Sequence, residues 1–399
     1  MSELTRGTFA ALLSLTPIVA GCGAKEFAPV EQVPTRLPRA DAMIYLVGDA
    51  GLATADDPII RQLRDDVSKV APGVQTLVVY LGDNVYPRGL HPDTHPDHAR
   101  EAAYLDAQAS VVAGTQGRAI FLPGNHDWGY SDERGFQQIN RQAAYIDSLA
   151  GAGVPVEFLP PVGCPGPTAI RAGDRVLLLL LETDLWLRDD RPLASCANTS
   201  TDAALVELDR LLEENAEGEG RHVLVLGHHP LDSRGPHAGY YTFRDQLFPG
   251  TRLWKPLFIP IPFIYPIVRN MGVTSQDLSS SRYEAFVDAF AAVFLGFDED
   301  PLAYGGGHSH ALTVLDGGEY GVTWQLISGA GSKLVPVSDD DALFSAGQQQ
   351  GEHGYMRVAF FEDGRVLLTV VTDGTRECPG DVDLCFGQGT VRYWRWLVE

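Results

Sequence analysis

The sequence has 399 residues, 45% of them hydrophobic and 21% charged, which is enough for one large or two ordinary globular domains. Its 52 acidic and 30 basic residues give a formal net charge of -22, so electrostatic repulsion argues against a nucleic-acid partner. An anionic substrate would need a local positive centre, which a bound cation would supply.

The first 21 residues predict a secretory signal peptide. Arg6 precedes the apolar stretch 9–20, which is too short to span a bilayer as a permanent helix. The ending Val19-Ala20-Gly21-Cys22 resembles a bacterial lipoprotein box, in which cleavage leaves a lipidated Cys22; a plain signal peptide or a buried helix is the alternative. We therefore expect an exported protein that is lipid-anchored to a bacterial cell membrane, in the periplasm or at the cell surface.

Residues 22–40 carry several prolines and no periodicity, and are interpreted as a tether to a domain at 41–399. In that domain, five apolar runs of strand length each end in polar residues, and four of these ends contain glycine. Continuous apolar strands that alternate with helices predict an α/β sheet covered on both faces. The predicted strand segments are 43–51, 76–86, 119–127, 176–184 and 222–230, and the predicted helices are 57–70, 97–112 and 202–216.

After Tyr304 the pattern changes to that of antiparallel strands, at 321–328, 355–372 and 390–398, with Asp363-Gly364 as a hairpin turn. We expect these strands to form a second, largely antiparallel sheet packed against a mixed first sheet. The predicted fold class is therefore α/β, a two-sheet sandwich flanked by helices.

One segment breaks this rhythm and lies in a predicted insertion at about 238–300. Residues 253–272 are very apolar, but four prolines exclude a straight membrane helix. The segment could pack on the body of the protein, or it could form an interfacial or substrate-facing loop.

The cysteines fit an exported protein. If Cys22 is lipidated, four cysteines remain, and four allow three pairings. Cys378 and Cys385 close a short loop, so the simplest scheme joins Cys164 to Cys196. The sequence has no CxxC motif, so a cysteine zinc site is not expected.

Carboxylate, amide, phenol and imidazole side chains follow the predicted strands. Each alone could be a helix cap, a turn former or a core histidine. In open α/β sheets, however, the site lies beyond the carboxyl ends of the strands. About eight oxygen and nitrogen donors are too many for one tetrahedral zinc and suit two cations that share a carboxylate. These donors are Asp49, Asp83, Tyr86, Asn125, His126, His228, His308 and His310.

These motifs, in this order, resemble the five blocks of the purple acid phosphatases, within the calcineurin-like metallophosphoesterases. One such block alone would be weak evidence, whereas five in order are specific. The segment 327–333 (ISGAGSK) and the strands after it look like the C-terminal sheet of that family. The blocks are Asp49-x-Gly51, Gly82-Asp83-x-x-Tyr86, Gly124-Asn125-His126-Asp127, Val225-x-x-His228 and Gly307-His308-x-His310.

The resemblance implies two metal sites. Asp49, Asp83, Tyr86 and His310 would hold ferric iron. Asp83 would bridge to a divalent ion (Fe, Zn or Mn), which Asn125, His228 and His308 would also hold. The implied catalytic residues are Asp83 and His126, and the implied substrate-binding residues are Asn125, His126 and, on a looser alignment, His237.

The implied function is the hydrolysis of phosphate esters by a hydroxide between the two metals. The enzyme would be a phosphomonoesterase acting on a phosphorylated small molecule or headgroup. The alternatives are a phosphodiesterase acting on lipid headgroups or nucleotides with a Mn, Zn or Fe pair, and a non-catalytic surface lipoprotein that keeps the fold as a binding module. Two positions depart from the family: Ala50 stands where an aromatic residue is usual, and His229 stands where tyrosine is common. His229 could contact substrate or be a loop residue.

Overall fold

The computed structural model describes residues 34, 37–130, 133–188, 196–218, 220–238, 276–374 and 390–399. The predicted signal peptide, Cys22, most of the tether, the segment 253–272 and the Cys378–Cys385 loop lie outside these residues. Across the described ranges, every helix is too short or too polar to cross a membrane.

The first sheet has seven strands. Four parallel strands form one half, and three antiparallel strands extend it from the edge of β1. Its spatial order is β14-β13-β12-β1-β2-β3-β4. The strands are β1 (Ala40–Val47), β2 (Gln75–Leu81), β3 (Arg118–Leu122), β4 (Val156–Phe158), β12 (Gly354–Phe361), β13 (Val366–Thr372) and β14 (Thr390–Val398).

The second sheet also has seven strands, with a parallel centre and antiparallel strands at its edges. Its spatial order is β11-β9-β10-β8-β7-β6-β5. The strands are β5 (Thr168–Ala172), β6 (Val176–Leu180), β7 (His222–Leu226), β8 (Ala303–Gly306), β9 (Leu312–Asp316), β10 (Trp324–Ser328) and β11 (Phe344–Ala346).

Helices cover the outer faces. Local signals set several of their starts: a proline opens α1, and the hydroxyls of Ser200 and Ser280 accept hydrogen bonds at the starts of α6 and α7. The helices are α1 (Pro58–Ser68), α2 (His98–Ala109), α3 (Asn125–Trp128), α4 (Glu133–Gly151), α5 (Asp184–Leu187), α6 (Thr201–Glu217) and α7 (Ser281–Phe294).

The core follows from the alternation of side chains along each strand. In β1, Ala42, Ile44 and Leu46 pack between the sheets with residues of the second sheet such as Leu178. Their neighbours Met43, Tyr45 and Val47 belong to the other buried cluster, which includes the helices. Both faces of β1 are therefore buried, as the continuous apolar run predicts.

The predicted fold class is confirmed, but the C-terminal strands are arranged differently from the prediction. They do not form a separate antiparallel sheet, because β12–β14 extend the first sheet and β10 joins the second. The hairpin at Asp363-Gly364 is confirmed, with Gly364 donating a hydrogen bond to Phe361. The apolar pattern of a strand that is buried on both faces does not indicate which strand it pairs with. The sequence therefore did not show which sheet the C-terminal strands join.

Two further predictions meet the structure here. The disulfide between Cys164 and Cys196 is confirmed. Of the insertion predicted at about 238–300, residues 239–275 lie outside the described part. In the described remainder of this predicted insertion, α7 buries Phe286, Phe290 and Phe294 in the common core beside Tyr304. This helix is therefore part of the body of the protein.

Candidate metal centre

Five predicted ligands come two or three residues after the end of a strand. Three follow strands of the first sheet and two follow strands of the second, and all five strands are parallel members of their sheets. The two sheets thus place their carboxyl ends together and bring side chains that are distant in sequence to one site. The residues are Asp49 after β1, Asp83 after β2, Asn125 after β3, His228 after β7 and His308 after β8.

The backbone at the site is unusual. Asp49, Asp83, His308 and His310 all have left-handed φ angles, of 60°, 56°, 62° and 45°. Among the described non-glycine residues, Asp341 is the one other with a positive φ. Each left-handed residue other than glycine costs roughly 1–2 kcal/mol of conformational strain. The presence of four such residues at one site therefore indicates a functional constraint on these turns.

One cluster of donors contains Asp49, Asp83, Tyr86 and His310. The ligand atoms of Asp49, Asp83 and His310 all lie within 4.8 Å of one another. Tyr86 Oη donates a hydrogen bond to Asp49 Oδ1 at 2.8 Å and lies 3.1 Å from His310 Nε2. The structure therefore brings together the four residues predicted to hold the first metal.

A second cluster contains Asn125, His228 and His308. Asn125 Oδ1 lies 3.0 Å from His228 Nε2 and 3.2 Å from His308 Nδ1. The other ring nitrogens are held by backbone carbonyls: His228 Nδ1 donates to Leu81 at 2.7 Å, and His308 Nε2 donates to Gln276 at 3.1 Å. Burial and the neighbouring histidines lower the pKa of His308 well below its ordinary value, so Nδ1 of the neutral ring is an acceptor that faces another acceptor, Asn125 Oδ1.

Asp83 connects the two clusters. Its Oδ1 accepts a hydrogen bond from the His126 N–H at 2.9 Å and lies 3.4 Å from His228 Nε2. Its Oδ2 is buried, and within the described ranges it has no hydrogen-bond partner. An unsatisfied buried carboxylate oxygen is costly, and converging acceptors repel one another. The donor set therefore fits two cations, with Asp83 in contact with both donor clusters.

The electrostatics agree with this fit. Burial raises the pKa of Tyr86 well above its ordinary value, and the Asp49 and Asp83 carboxylates raise it further. Burial by itself would lower the pKa of His228, but the Asp83 and Asp49 carboxylates raise it. The site therefore attracts positive charge, and Tyr86 needs a strong cation beside it in order to ionise.

His126 lies at the edge of the clusters with its side chain 36% exposed. Its Nδ1 donates a hydrogen bond to the Pro87 carbonyl at 2.7 Å, and its Nε2 lies 4.0 Å from Asp83 Oδ2. Its ring packs edge-on against Tyr86, with the ring centroids 4.7 Å apart. The contact with Pro87 fixes the tautomer and leaves Nε2 toward the site.

His237 also reaches the site. Its ring centroid lies 4.3 Å from that of His308, and its Nδ1 lies 3.0 Å from the buried carboxylate of Asp277. The loosely aligned residue is therefore close to the predicted ligands. Its contact with substrate remains a prediction.

His229 is not at the surface of the site. The residue is fully buried, and both ring nitrogens are used: Nδ1 accepts from Thr183 Oγ1 at 2.9 Å and Nε2 donates to Gln276 Oε1 at 2.6 Å. Thr183 Oγ1 in turn accepts from the N–H groups of His228 and His229. Of the two open interpretations, a substrate contact or a loop residue, the geometry does not favour the substrate contact; through Thr183, His229 instead helps to position the turn that carries His228.

Two nearby residues were given no role from the sequence. Asp127 is buried and accepts hydrogen bonds from the N–H groups of Asn84, Val85 and Gly124, so it fixes the turns that carry Asp83 and Asn125. Its place in the Gly124–Asp127 block was a usable signal. Lys333 places Nζ 3.1 Å from the centroid of the Tyr86 ring. A single lysine after a glycine-rich loop gave no such signal.

Comparison with known proteins identifies one family. The sequence matches the family described as calcineurin-like phosphoesterase over residues 43–253, more than half of the chain. No curated protein matches.

Two solved structures are similar at low identity. GAP50, the anchor in the inner membrane complex of Plasmodium, is 13% identical with a TM-score of 0.50, over 85% of this chain and 87% of its own. The purple acid phosphatase PPD1 from yellow lupin (Lupinus luteus) seeds is 13% identical with a TM-score of 0.47, over 90% of this chain and 55% of its own. The first likeness shows a shared fold alone, and the second is too distant to carry an argument.

Proposed function

The chain belongs to the calcineurin-like phosphoesterase family, and from that premise we propose that it hydrolyses phosphomonoesters at a dinuclear metal centre. Proteins of this family are metal-dependent hydrolases with two metal ions. The substrate would be a phosphorylated small molecule or a phosphorylated headgroup.

The observation that supports the proposal most strongly is the convergence of acceptors around Asp83. One of its oxygens is buried without a partner in the described residues, and the inward nitrogen of neutral His308 faces the acceptor Asn125 Oδ1. Asp49, Tyr86 and His310 would complete the first metal site. When bound, two cations supply Lewis acidity for the phosphoryl oxygens and a lowered pKa for water.

Proton donation and the binding of phosphoryl oxygens are assigned to side chains of the protein itself. His126 is partly exposed, and Pro87 holds its outer nitrogen, so Nε2 of the imidazolium form can give a proton to the leaving oxygen and the ring is left neutral. Asp277 holds His237 in a fixed orientation beside His308, where the imidazolium form of His237 can donate a hydrogen bond from Nε2 to a phosphoryl oxygen. The half-buried amide of Asn125 would bind a second phosphoryl oxygen.

Tyr86 supports iron as one of the metals. A phenol with a raised pKa ionises beside Asp49 only if a strongly charged cation compensates, and phenolate is a hard donor suited to a trivalent ion. We therefore propose Fe(III) in the site of Asp49, Tyr86 and His310, with Fe, Zn or Mn in the other.

The test is hydrolysis of a panel of phosphomonoesters and phosphodiesters by metal-loaded protein, with Asp83→Asn as the inactive control. We expect monoesters to be hydrolysed faster than diesters and the variant to lose activity on both. Faster hydrolysis of diesters would favour the phosphodiesterase. Complete inactivity with two metals bound would favour a binding module.

We also propose that the enzyme is exported and held at a membrane by a lipid on Cys22, on the evidence of the lipoprotein box alone. We expect the wild-type protein to incorporate labelled fatty acid and the Cys22→Ser variant not to incorporate it. Incorporation that persists in the variant would contradict the anchor.

A further inference from the structure

Lys333 lies against the predicted metal ligands without being one of them. Its Nζ is 3.1 Å from the centroid of the Tyr86 ring, while His126 packs against the same ring. The lysine is half-buried, in the field of the Asp49 and Asp83 carboxylates. The positive charge of Lys333 thus lies against the same ring as His126, the residue that we propose as the proton donor to the leaving oxygen.

The loop that carries Lys333 is attached on both sides to the turns of the metal ligands. Gly331 N–H donates to the Gly48 carbonyl at 3.0 Å, and Ser332 Oγ donates to the Asp49 carbonyl at 2.5 Å. Two residues after the lysine, Val335 N–H donates to the His310 carbonyl at 3.2 Å. The backbone position of Lys333 is therefore fixed relative to the site.

Lysine is scarce in the sequence. The sequence has four lysines in a protein with a net charge of -22, and the other described one, Lys69, is an exposed residue directly after α1 that is paired with Asp65 at 2.8 Å. Lys333 is set apart from Lys69 by its burial and by its neighbours. Lys69 is consequently a matched control with the same charge and a different location.

We propose that Lys333 is a substrate-binding residue that contacts a phosphoryl oxygen and favours substrates with two negative charges on the phosphoryl group. This inference rests on the proposed function. The Coulomb energy of one ammonium scales with the charge that it faces, so a dianionic monoester gains about twice as much as a monoanionic diester. Burial strengthens the difference, because the ammonium is screened less than it would be in bulk water.

The experiment compares metal-loaded wild type with Lys333→Met, Lys333→Arg and Lys69→Met. It uses p-nitrophenyl phosphate and bis(p-nitrophenyl) phosphate, which share a leaving group, and inorganic phosphate as a binding probe in calorimetry. For Lys333→Met we expect kcat/KM to fall on the order of tenfold or more with the monoester and by less than about threefold with the diester, chiefly through KM. Phosphate affinity should fall on the order of tenfold, Lys333→Arg should recover most of it, and Lys69→Met should match wild type.

Several results would overturn this role. Equal losses on both esters, unchanged phosphate binding, or a loss of bound metal in Lys333→Met would make Lys333 a packing or charge-balancing residue. Failure of the proposed function is a separate outcome, in which wild type with two metals hydrolyses neither ester. The calorimetry then still decides, because weaker phosphate binding in Lys333→Met supports the contact and unchanged binding refutes it.

Discussion

His126 is held by a backbone carbonyl on one side and open to the site on the other. We expect His126→Ala to lower kcat for an alkyl phosphate by about 10²–10³-fold, and to lower it far less for p-nitrophenyl phosphate. The reason is that a poor leaving group needs a proton, whereas p-nitrophenolate leaves without one. Steady-state kinetics with both substrates measures this difference.

The control is His95→Ala, since His95 is a comparably exposed histidine that stacks on His91. Metal content should stay at the wild-type level in both variants. Equal losses with both substrates would show that His126 does not protonate the leaving group.

Tyr86 is the residue on which the iron assignment depends. We expect purified wild type to absorb visible light through charge transfer between phenolate and ferric iron, and Tyr86→Phe to lose this band. Tyr80→Phe is the matched control, because Tyr80 is a buried tyrosine whose hydroxyl donates to the Gln108 carbonyl. A colourless wild-type enzyme with two metals would contradict iron and favour the Mn or Zn alternatives.

At the scale of elements, the turn after β2 requires glycine at position 82. Gly82 has a φ of 89°, and a Cβ there would lie 2.6 Å from His228 Nδ1 and 2.8 Å from Gly124 N. We expect Gly82→Ala to lower the free energy of unfolding by roughly 3 kcal/mol or more, through left-handed strain and overpacking, and to reduce metal binding. Urea denaturation and elemental analysis measure the two effects.

Gly153→Ala separates strain from crowding, since Gly153 has a φ of 92° and nothing within 4 Å of its Cβ position. It should cost about 1–2 kcal/mol and leave the metals in place. Similar costs in the two variants would mean that the close approach of the β2 turn to His228 has no energetic role.

Helix α1 contains a buried acid away from the site. Burial raises the pKa of Asp66 to about 6, against the opposing effects of Arg357 and the hydrogen bonds from Tyr355 and Gln62. Between pH 4 and pH 6 the unfolded chain then binds fewer protons at Asp66 than the folded chain does, so stability falls as the pH rises.

Asp66→Asn removes this contribution. We expect the variant to gain about 3 kcal/mol relative to wild type between pH 4 and pH 7, in urea denaturation of chelator-treated protein. Asp65→Asn, on the exposed side of the same helix, should follow the wild-type curve. Parallel curves for Asp66→Asn and wild type would contradict a raised pKa.

Several elements could be predicted because their signals are local. The apolar runs of β1, β2, β3 and β7, each followed by glycine and a polar donor, revealed both the strands and the candidate ligands. The pairing of β12 with β1 could not be predicted, because the pattern of a strand buried on both faces fits either sheet. Lys333 was missed for a related reason: hydrogen bonds from its loop to Gly48 and Asp49, about 280 residues away in sequence, set its position.

At the scale of the whole molecule, the two sheets meet at the candidate metal centre. Asp49, Asp83 and Asn125 come from the first sheet, and His228 and His308 come from the second. Cations at this junction would neutralise carboxylates in a strongly acidic protein and would hold strained turns of both sheets. The binding of two metal ions at this junction is thus the claim on which the functional account depends.

Elemental analysis of the purified mature protein tests that claim most directly, with Asp49→Asn and His308→Ala as variants of the separate sites. The account predicts close to two metal ions per wild-type chain and close to one in each variant. One metal ion or fewer per wild-type chain, after exposure to iron and zinc, would contradict a dinuclear centre.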